Sequence, residues 1–241
     1  MSDMITVQGT IDLHIHSHPC LFPRIGDDET IVAAAADAGM RGVLLKCHHE
    51  SSVSRAYLVN ARFPEIDVFG GIVLNRYVGG LNPESVEAAL RLGGKAVWMP
   101  TIDSASHART FGSTGGYGVQ SGGVVSESGI CILQDGALKP AVQEIVRLVI
   151  EYDAFLGTGH LSPKEILILV REASRMGLGK MVINHPFFKV PNLSLEQLRE
   201  LVEWGAAVEI EYCGISPMWA WEGTNLARMR QAIAELGADN C

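Results

Sequence analysis

A chain of 241 residues that is 47% hydrophobic and 19% charged has the composition of a globular protein with a sizeable core. Its formal net charge of −8 is scattered along the chain, which argues against a nucleic-acid partner. No stretch reaches the roughly 18 unbroken apolar residues of a membrane helix, and Met1-Ser2-Asp3-Met4 does not open a secretory signal.

The first element is Thr10-Ile11-Asp12-Leu13-His14-Ile15-His16, whose alternation predicts a strand over 10–16. Asp12, His14 and His16 then share one face, and two imidazoles at i and i+2 can reach one metal ion. Further apolar, β-rich runs predict strands near 42–47, 67–74, 96–101, 154–160, 180–185 and 206–212. Helical patterns fill the gaps near 28–40, 51–62, 83–93, 140–152, 163–177, 195–204 and 224–237. Ser162-Pro163-Lys164-Glu165 and Ser194-Leu195-Glu196-Gln197 are capping boxes, and Asn82-Pro83 starts a helix in a similar way.

Strict alternation of strand and helix predicts a parallel sheet with right-handed crossovers. The polar residues gather at the C-terminal ends of the strands: His16, Lys46, His48, Asn75, Thr101, Asp103, His160, His185, Glu209 and Glu211. In a TIM-like (β/α) barrel those ends converge on one mouth, so this α/β barrel is the expected fold, with seven strands visible. A doubly wound sheet is the competing topology, but no GxGxxG follows the first strand and no P-loop lysine motif occurs.

One segment breaks the rhythm within this expected single domain. Residues 103–138 are dense in Gly and Ser and carry no helical period, so a lid or specificity loop over the mouth is expected. The run from Ile130 to Leu133, followed by Asp135-Gly136, predicts a small hairpin inside it. Five spread cysteines without a CxxC predict reduced thiols and a cytoplasmic protein. Cys20 stands near enough to the histidine pair to be a ligand, although free cysteines usually serve as small apolar residues.

His160 closes the fifth predicted strand and His185 the sixth. With His14 and His16 they make four imidazoles on three strand ends, a set that suits Zn, Fe, Mn or Ni better than Mg or Ca. This order of histidines resembles the amidohydrolase superfamily of metal-dependent barrels. Gly157-Thr158-Gly159-His160-Leu161-Ser162-Pro163 and Asn184-His185-Pro186 resemble a branch whose substrates are mostly undefined.

The resemblance implies that His14 and His16 hold the more buried of one or two divalent ions, zinc first. His160 and His185 would hold a second ion, or divide between metal and substrate. It also implies hydrolysis of an amide, cyclic imide or lactone-like bond in a small molecule. Two departures stand out. Strand four, Ala96-Val97-Trp98-Met99-Pro100-Thr101, lacks the lysine or glutamate that many members carry there. The aspartate that ends the family's eighth strand has no counterpart, so that strand is expected to be missing or to lie beyond Cys241.

Lys46 and His48 share a face on strand two and are expected to act on substrate or add to the ligands. Lys46 pointing outwards between helices is the alternative. Glu209 and Glu211 share a face on strand seven, interior or exterior; as an interior pair they suit acid–base work, and Glu211 lies closer to the mouth. Arg24, Asp103, Tyr117, Trp219 and Trp221 are further candidates to line the pocket. A phosphoesterase of the PHP kind, a decarboxylase or hydratase, and a non-catalytic metal-binding barrel are the competing functions. PHP enzymes usually end in an Asp-x-His that this chain lacks. A small-molecule substrate and a homo-oligomer are compatible with the sequence; a nucleic-acid or membrane partner is not expected.

Overall fold

The computed structural model describes residues 6–117, 120–216 and 224–241. In chain order the elements are β1 (Ile11–Ile15), α1 (Asp28–Asp37), β2 (Gly42–Leu45), α2 (Val53–Asn60), β3 (Asp67–Val73), α3 (Pro83–Arg91), β4 (Ala96–Trp98) and α4 (Ala105–Phe111). Two hairpins follow, β5 (Gly116–Tyr117) with β6 (Gln120–Ser121) and β7 (Leu133–Gln134) with β8 (Ala137–Leu138). Then come α5 (Pro140–Glu151), β9 (Phe155–Gly157), α6 (Pro163–Arg175), β10 (Met181–Ile183), α7 (Leu195–Glu203), β11 (Ala206–Val208) and α8 (Leu226–Leu236).

The main sheet has seven strands in the order β1-β2-β3-β4-β9-β10-β11, and every pairing is parallel. Strand order follows chain order, with no point at which it reverses. A doubly wound sheet requires such a reversal, so the sheet curls as a barrel wall instead. Among the described residues there is no eighth strand: β1 and β11 are the two edges, and a short 3₁₀ turn at Ala238–Asn240 follows α8. Among the same residues no helix is long and apolar enough to cross a membrane.

Side-chain alternation on β2 sorts the core. Val43 and Leu45 pack outwards against Val32, Ala35, Ala56 and Val59 of α1 and α2. Leu44 packs inwards with Val73, Ala96 and Trp98. The period of two therefore carries Lys46, the next residue in Leu44's phase, to the inner side. Trp98 plugs the wall beneath the mouth because its neighbours give way. A Cβ on Gly71 would stand 2.7 Å from the Trp98 ring, and one on Gly157 only 2.2 Å from it.

Helix starts follow their caps. Ser162 and Ser194 close full capping boxes, and Asn82 accepts from the amides of Glu84 and Ser85. The helix α4 was not expected in the Gly/Ser-rich segment. Its seven residues are too few for a legible period, and Ser104 nucleates it by accepting from the His107 amide. The second hairpin does form where expected, with Asp135 at φ 52 and Gly136 at φ 81, the left-handed pair a tight type I′ connection requires.

Candidate metal centre

His14 lies within β1, and the other chemically interesting residues follow the ends of their strands, on the turns that roof the sheet. Five imidazoles form a closed ring there. Centroid separations run 5.1 Å from His14 to His16, 4.6 Å from His16 to His48, and 6.4 Å from His48 to His160. They continue 5.6 Å from His160 to His185 and 4.8 Å from His185 back to His14. The register of β1 on β2 shifts between Asp12 and Ile15, a bulge that aims His14 and His16 at one point. Their Nε2 atoms lie 3.2 Å apart.

The second nitrogens decide what those atoms can do. His14 Nδ1 lies 2.7 Å from Glu209 Oε1, so it donates and its Nε2 keeps a lone pair. Lys46 Nζ stands 3.0 Å from that Nε2. Lys46 is 2% exposed and sits over the Trp98 ring at 5.2 Å, which settles its direction as inward. Burial pulls its pKa down to about 8, against the attraction of Glu209 and Glu211.

His160 is fixed by a residue the sequence reading passed over. His107 Nε2 lies 2.7 Å from the Gly116 carbonyl, which only accepts, so that nitrogen carries the proton. Burial lowers the His107 pKa to about 4 and keeps the ring neutral, which leaves Nδ1 an acceptor. His160 Nδ1, at 3.0 Å, must then donate, and the lone pair of His160 falls on Nε2. The Gly/Ser-rich segment thus reaches into the site through His107 and through Tyr117, whose ring lies 6.1 Å from that of His160.

His48 Nδ1 lies 2.8 Å from Thr101 Oγ1, which also accepts from Asn75 Nδ2 at 2.7 Å. Thr101 is fully buried, and His48 is the acceptor within reach of its hydroxyl proton. His48 Nε2 is consequently a donor. The Glu209/Glu211 question resolves inward for both, each about one-eighth exposed. β11 ends at Val208, so the strict alternation expected for the pair is broken. Glu209 takes His14, the His185 amide and Asn184 Nδ2, while Glu211 takes His185 Nδ1 at 3.1 Å.

His185 itself has φ 48, a left-handed conformation uncommon outside glycine. Its bonds to both glutamates and its stack on Phe188 at 4.7 Å hold it there. Gly159 (φ 58) explains the Gly-Thr-Gly-His motif, because a Cβ there would stand 2.3 Å from the Met99 carbonyl. Gly159→Ala is expected to cost roughly 1–3 kcal/mol in urea unfolding, since backbone cannot yield cheaply.

Other candidates divide. Arg24 arches over the mouth, its Nη2 buried with no hydrogen-bond partner. Asp103 is fully buried and clamps Arg76 at 3.2 Å, so it braces the loop instead of facing the pocket. Tyr117 lines the cavity; Trp219 and Trp221 lie outside the described residues. The cavity is about 1010 Å³ and opens between β1 and β11, past Ile11, Leu13, Ile210 and Tyr212.

The donor set fits a divalent ion. Among the described residues, His14, His185 and Glu209 offer ligand atoms within 4.8 Å of one another. Tetrahedral ligands at 2.0–2.1 Å from zinc stand about 3.3 Å apart, close to the His14–His16 separation. Burial, the largest cause in each case, holds His14 at about 4 and His16, His48 and His160 well below the ordinary histidine range. These rings are neutral at pH 7, the state in which imidazole binds metal.

That electrostatics has a pH consequence. Unfolding returns His14 from about 4 to 6.5, so the unfolded chain binds more protons across that window. Glu209 is buried, yet His14, His185 and Lys46 hold it below the carboxylate range, and its stabilising contribution is also lost in acid. Both signs agree. The melting temperature of metal-free protein is expected to fall by roughly 5–10 °C between pH 7 and 4, read by calorimetry.

Solved structures share this architecture. An organophosphorus hydrolase from Deinococcus radiodurans superimposes with a TM-score of 0.56 at 12% identity, over 96% of this chain and 72% of that one. A mutant PTE-like lactonase from the same organism gives 0.55 at 13% identity, over 98% and 76%. An amidohydrolase from Pseudomonas aeruginosa gives 0.52 at 13% identity over 83% of this chain, which spans 61% of that protein's length. No curated protein matches. The likeness defines the class of fold: a TIM-type α/β barrel of the kind these hydrolases use. Within it, the chain belongs to DUF6282, a family of unknown function whose model matches residues 9–209.

Proposed function

We propose that the chain is a metal-dependent hydrolase of the amidohydrolase type acting on a small molecule. His14, His16, His160 and His185 hold one or two divalent ions, zinc first, and Lys46, His48 and Glu211 act on the substrate. The observation that carries the reading is the pair of facing Nε2 atoms on His14 and His16, 3.2 Å apart, with one of the two bound to be a lone pair. The two atoms are close enough to ligate one ion from adjacent corners of a tetrahedron. A divalent ion there supplies a Lewis acid that polarises a carbonyl or phosphoryl oxygen and acidifies water.

The chain's own groups supply the rest. Lys46, with a pKa of about 8, is largely protonated at neutral pH and donates to an oxygen of the substrate. His48 Nε2–H is a second donor, on a ring stacked against His16 at 4.6 Å. Glu211 takes the proton of the attacking water, with His185 beside it to steady the carboxylate. The wide cavity and the aromatic rings of Phe22, Tyr117 and Phe188 favour a ring-bearing ester or amide. Lactones and cyclic imides head the test panel, followed by phosphotriesters.

Elemental analysis of purified protein, with hydrolysis measured before and after dialysis against a chelator, tests this. Near-stoichiometric zinc, manganese, iron or nickel is expected, with activity lost on chelation and restored by the metal. Protein with no metal, and with no hydrolysis after zinc is added, would falsify the proposal.

A further inference from the structure

Two arginines near the mouth are treated differently. Arg55 is saturated: it donates to both oxygens of Asp28, to Glu50 at 3.0 Å, and to the carbonyls of His18 and Pro19. Arg24 lies between β1 and α1 and lines the cavity. Its Nε donates to Cys20 Sγ at 3.2 Å, and sulfur is a weak acceptor. Its Nη2 is buried with no hydrogen-bond partner, and among the described residues it pairs with no carboxylate. A buried charged donor left without an acceptor is costly, so this one has the mark of a group that waits for a ligand.

The guanidinium is held in place from below. The Arg24 amide donates to His18 Nε2 at 3.1 Å, and the His18 amide donates to the Gly26 carbonyl at 2.8 Å. Arg24 Cζ lies 5.5 Å from the centroid of Phe22, a ring that is itself buried. With Nε turned to the sulfur, the edge left for a ligand is the Nη1–Nη2 end. Two parallel N–H groups there match the two oxygens of a carboxylate.

Position relates this edge to the histidines. The Phe22 ring lies 5.8 Å from that of His48 and 5.8 Å from that of Tyr117, and His48 stacks on His16. Arg24 therefore stands on the His16–His48 side of the ring of imidazoles, while Glu209 and Glu211 attend His14 and His185. Among the described residues that line the cavity, Arg24 is the only lysine or arginine, against Asp12, Glu209 and Glu211. One cation suits a single negative charge. A phosphate dianion would face three carboxylates with one guanidinium, so the balance favours a carboxylate.

We propose that Arg24 is the specificity-determining residue of the cavity and that the substrate is a small aromatic monocarboxylate, gripped end-on by Nη1 and Nη2. In naming a substrate this rests on the hydrolase reading; the binding of the anion does not. The carboxylate sits at Arg24, the apolar body lies along Phe22 and Tyr117, and the bond to be cleaved reaches the His14–His16 pair. Arg24 takes no part in the bond-breaking step.

The test measures binding of benzoate, phenylacetate and 3-phenylpropionate at pH 7, each beside its neutral amide, by ligand-observed NMR. The full chain is used as purified and again after chelation. At least one carboxylate is expected to bind both forms, about tenfold or more tighter than its amide. Arg24→Met, with the wild-type circular dichroism spectrum, brings that carboxylate down to the level of the amide and leaves the amide unchanged. A merely structural loss would weaken both alike. Arg24→Lys keeps the charge without the fork and recovers part of the difference; it also serves as the readout where Arg24→Met does not fold. Four results overturn the proposal: no carboxylate binds, amides bind as well as carboxylates, Arg24→Met binds the carboxylate as the wild type does, or phenyl phosphate binds tighter than every carboxylate. Binding confined to the metal-loaded form and equal in Arg24→Met places the anion on the ion and overturns it too. Nothing here is read from hydrolysis. A chain that binds carboxylates through Arg24 but cleaves nothing fails only as a hydrolase, and one that cleaves neutral lactones without binding carboxylates fails only in this inference.

Discussion

His14→Ala is expected to give a folded chain that no longer retains a stoichiometric divalent ion, with hydrolytic kcat/KM lower by about 10³-fold or more. The reason is position. Among the described residues His14 touches Glu209, His16 and Lys46 together, at 2.7, 3.2 and 3.0 Å. Removing it takes away a ligand and also leaves Glu209 buried with one cationic or donor partner fewer, which costs affinity for the metal and for the fold. Elemental analysis and steady-state rates on the same preparation check the result. A variant that keeps wild-type metal content removes His14 from the centre, whatever its rate.

Glu209→Ala should act one step further out. It leaves the His14 Nδ1 proton without an acceptor, so the ring is free to turn, and it releases the His185 amide and Asn184 Nδ2. Metal affinity is expected to fall by about 10–100-fold, the usual effect of losing a carboxylate behind a histidine ligand. Competition against a fluorescent zinc chelator reads this directly. Glu209→Gln keeps an acceptor oxygen and is expected to recover most of the loss. Equal losses in Glu209→Gln and Glu209→Ala mean that the negative charge matters more than the hydrogen bond, and that Glu209 itself binds the ion, as its place beside His14 and His185 allows.

Much of the barrel could be read before any coordinates, for reasons visible in single residues. Seven apolar runs bounded by capping boxes and glycines match the seven strands, because a wall buried on both faces needs continuous apolar strands. Lys46, His160 and His185 were recognisable because each follows such a run. The period of two stops informing where the strand stops, and β11 stops at Val208. That is why the face of Glu209 and Glu211 stayed open and Glu211 was preferred only for its nearness to the mouth, whereas the partner of His14 is Glu209. His107 was hidden for a different reason. It lies on a seven-residue helix inside a Gly/Ser-rich stretch, and its role depends on a carbonyl at Gly116 that no local pattern marks. Left-handed His185 was equally invisible, since its φ is imposed by contacts from two glutamates on another turn.

The His107–His160 contact makes the segment above the mouth more than a cover. Because His107 dictates which nitrogen of His160 holds the lone pair, order in the segment and a free lone pair on His160 Nε2 go together, and under the proposed function that lone pair is the one offered to the ion. Thermodynamic reciprocity then applies: whatever factor segment closure adds to ion affinity, ion binding adds to closure. An occupied centre would therefore slow amide hydrogen exchange in residues 105–117, remote in sequence from the other three histidines of the centre. Selection on the segment's order would act on the ion, and scarcity of the ion would be felt as a looser roof.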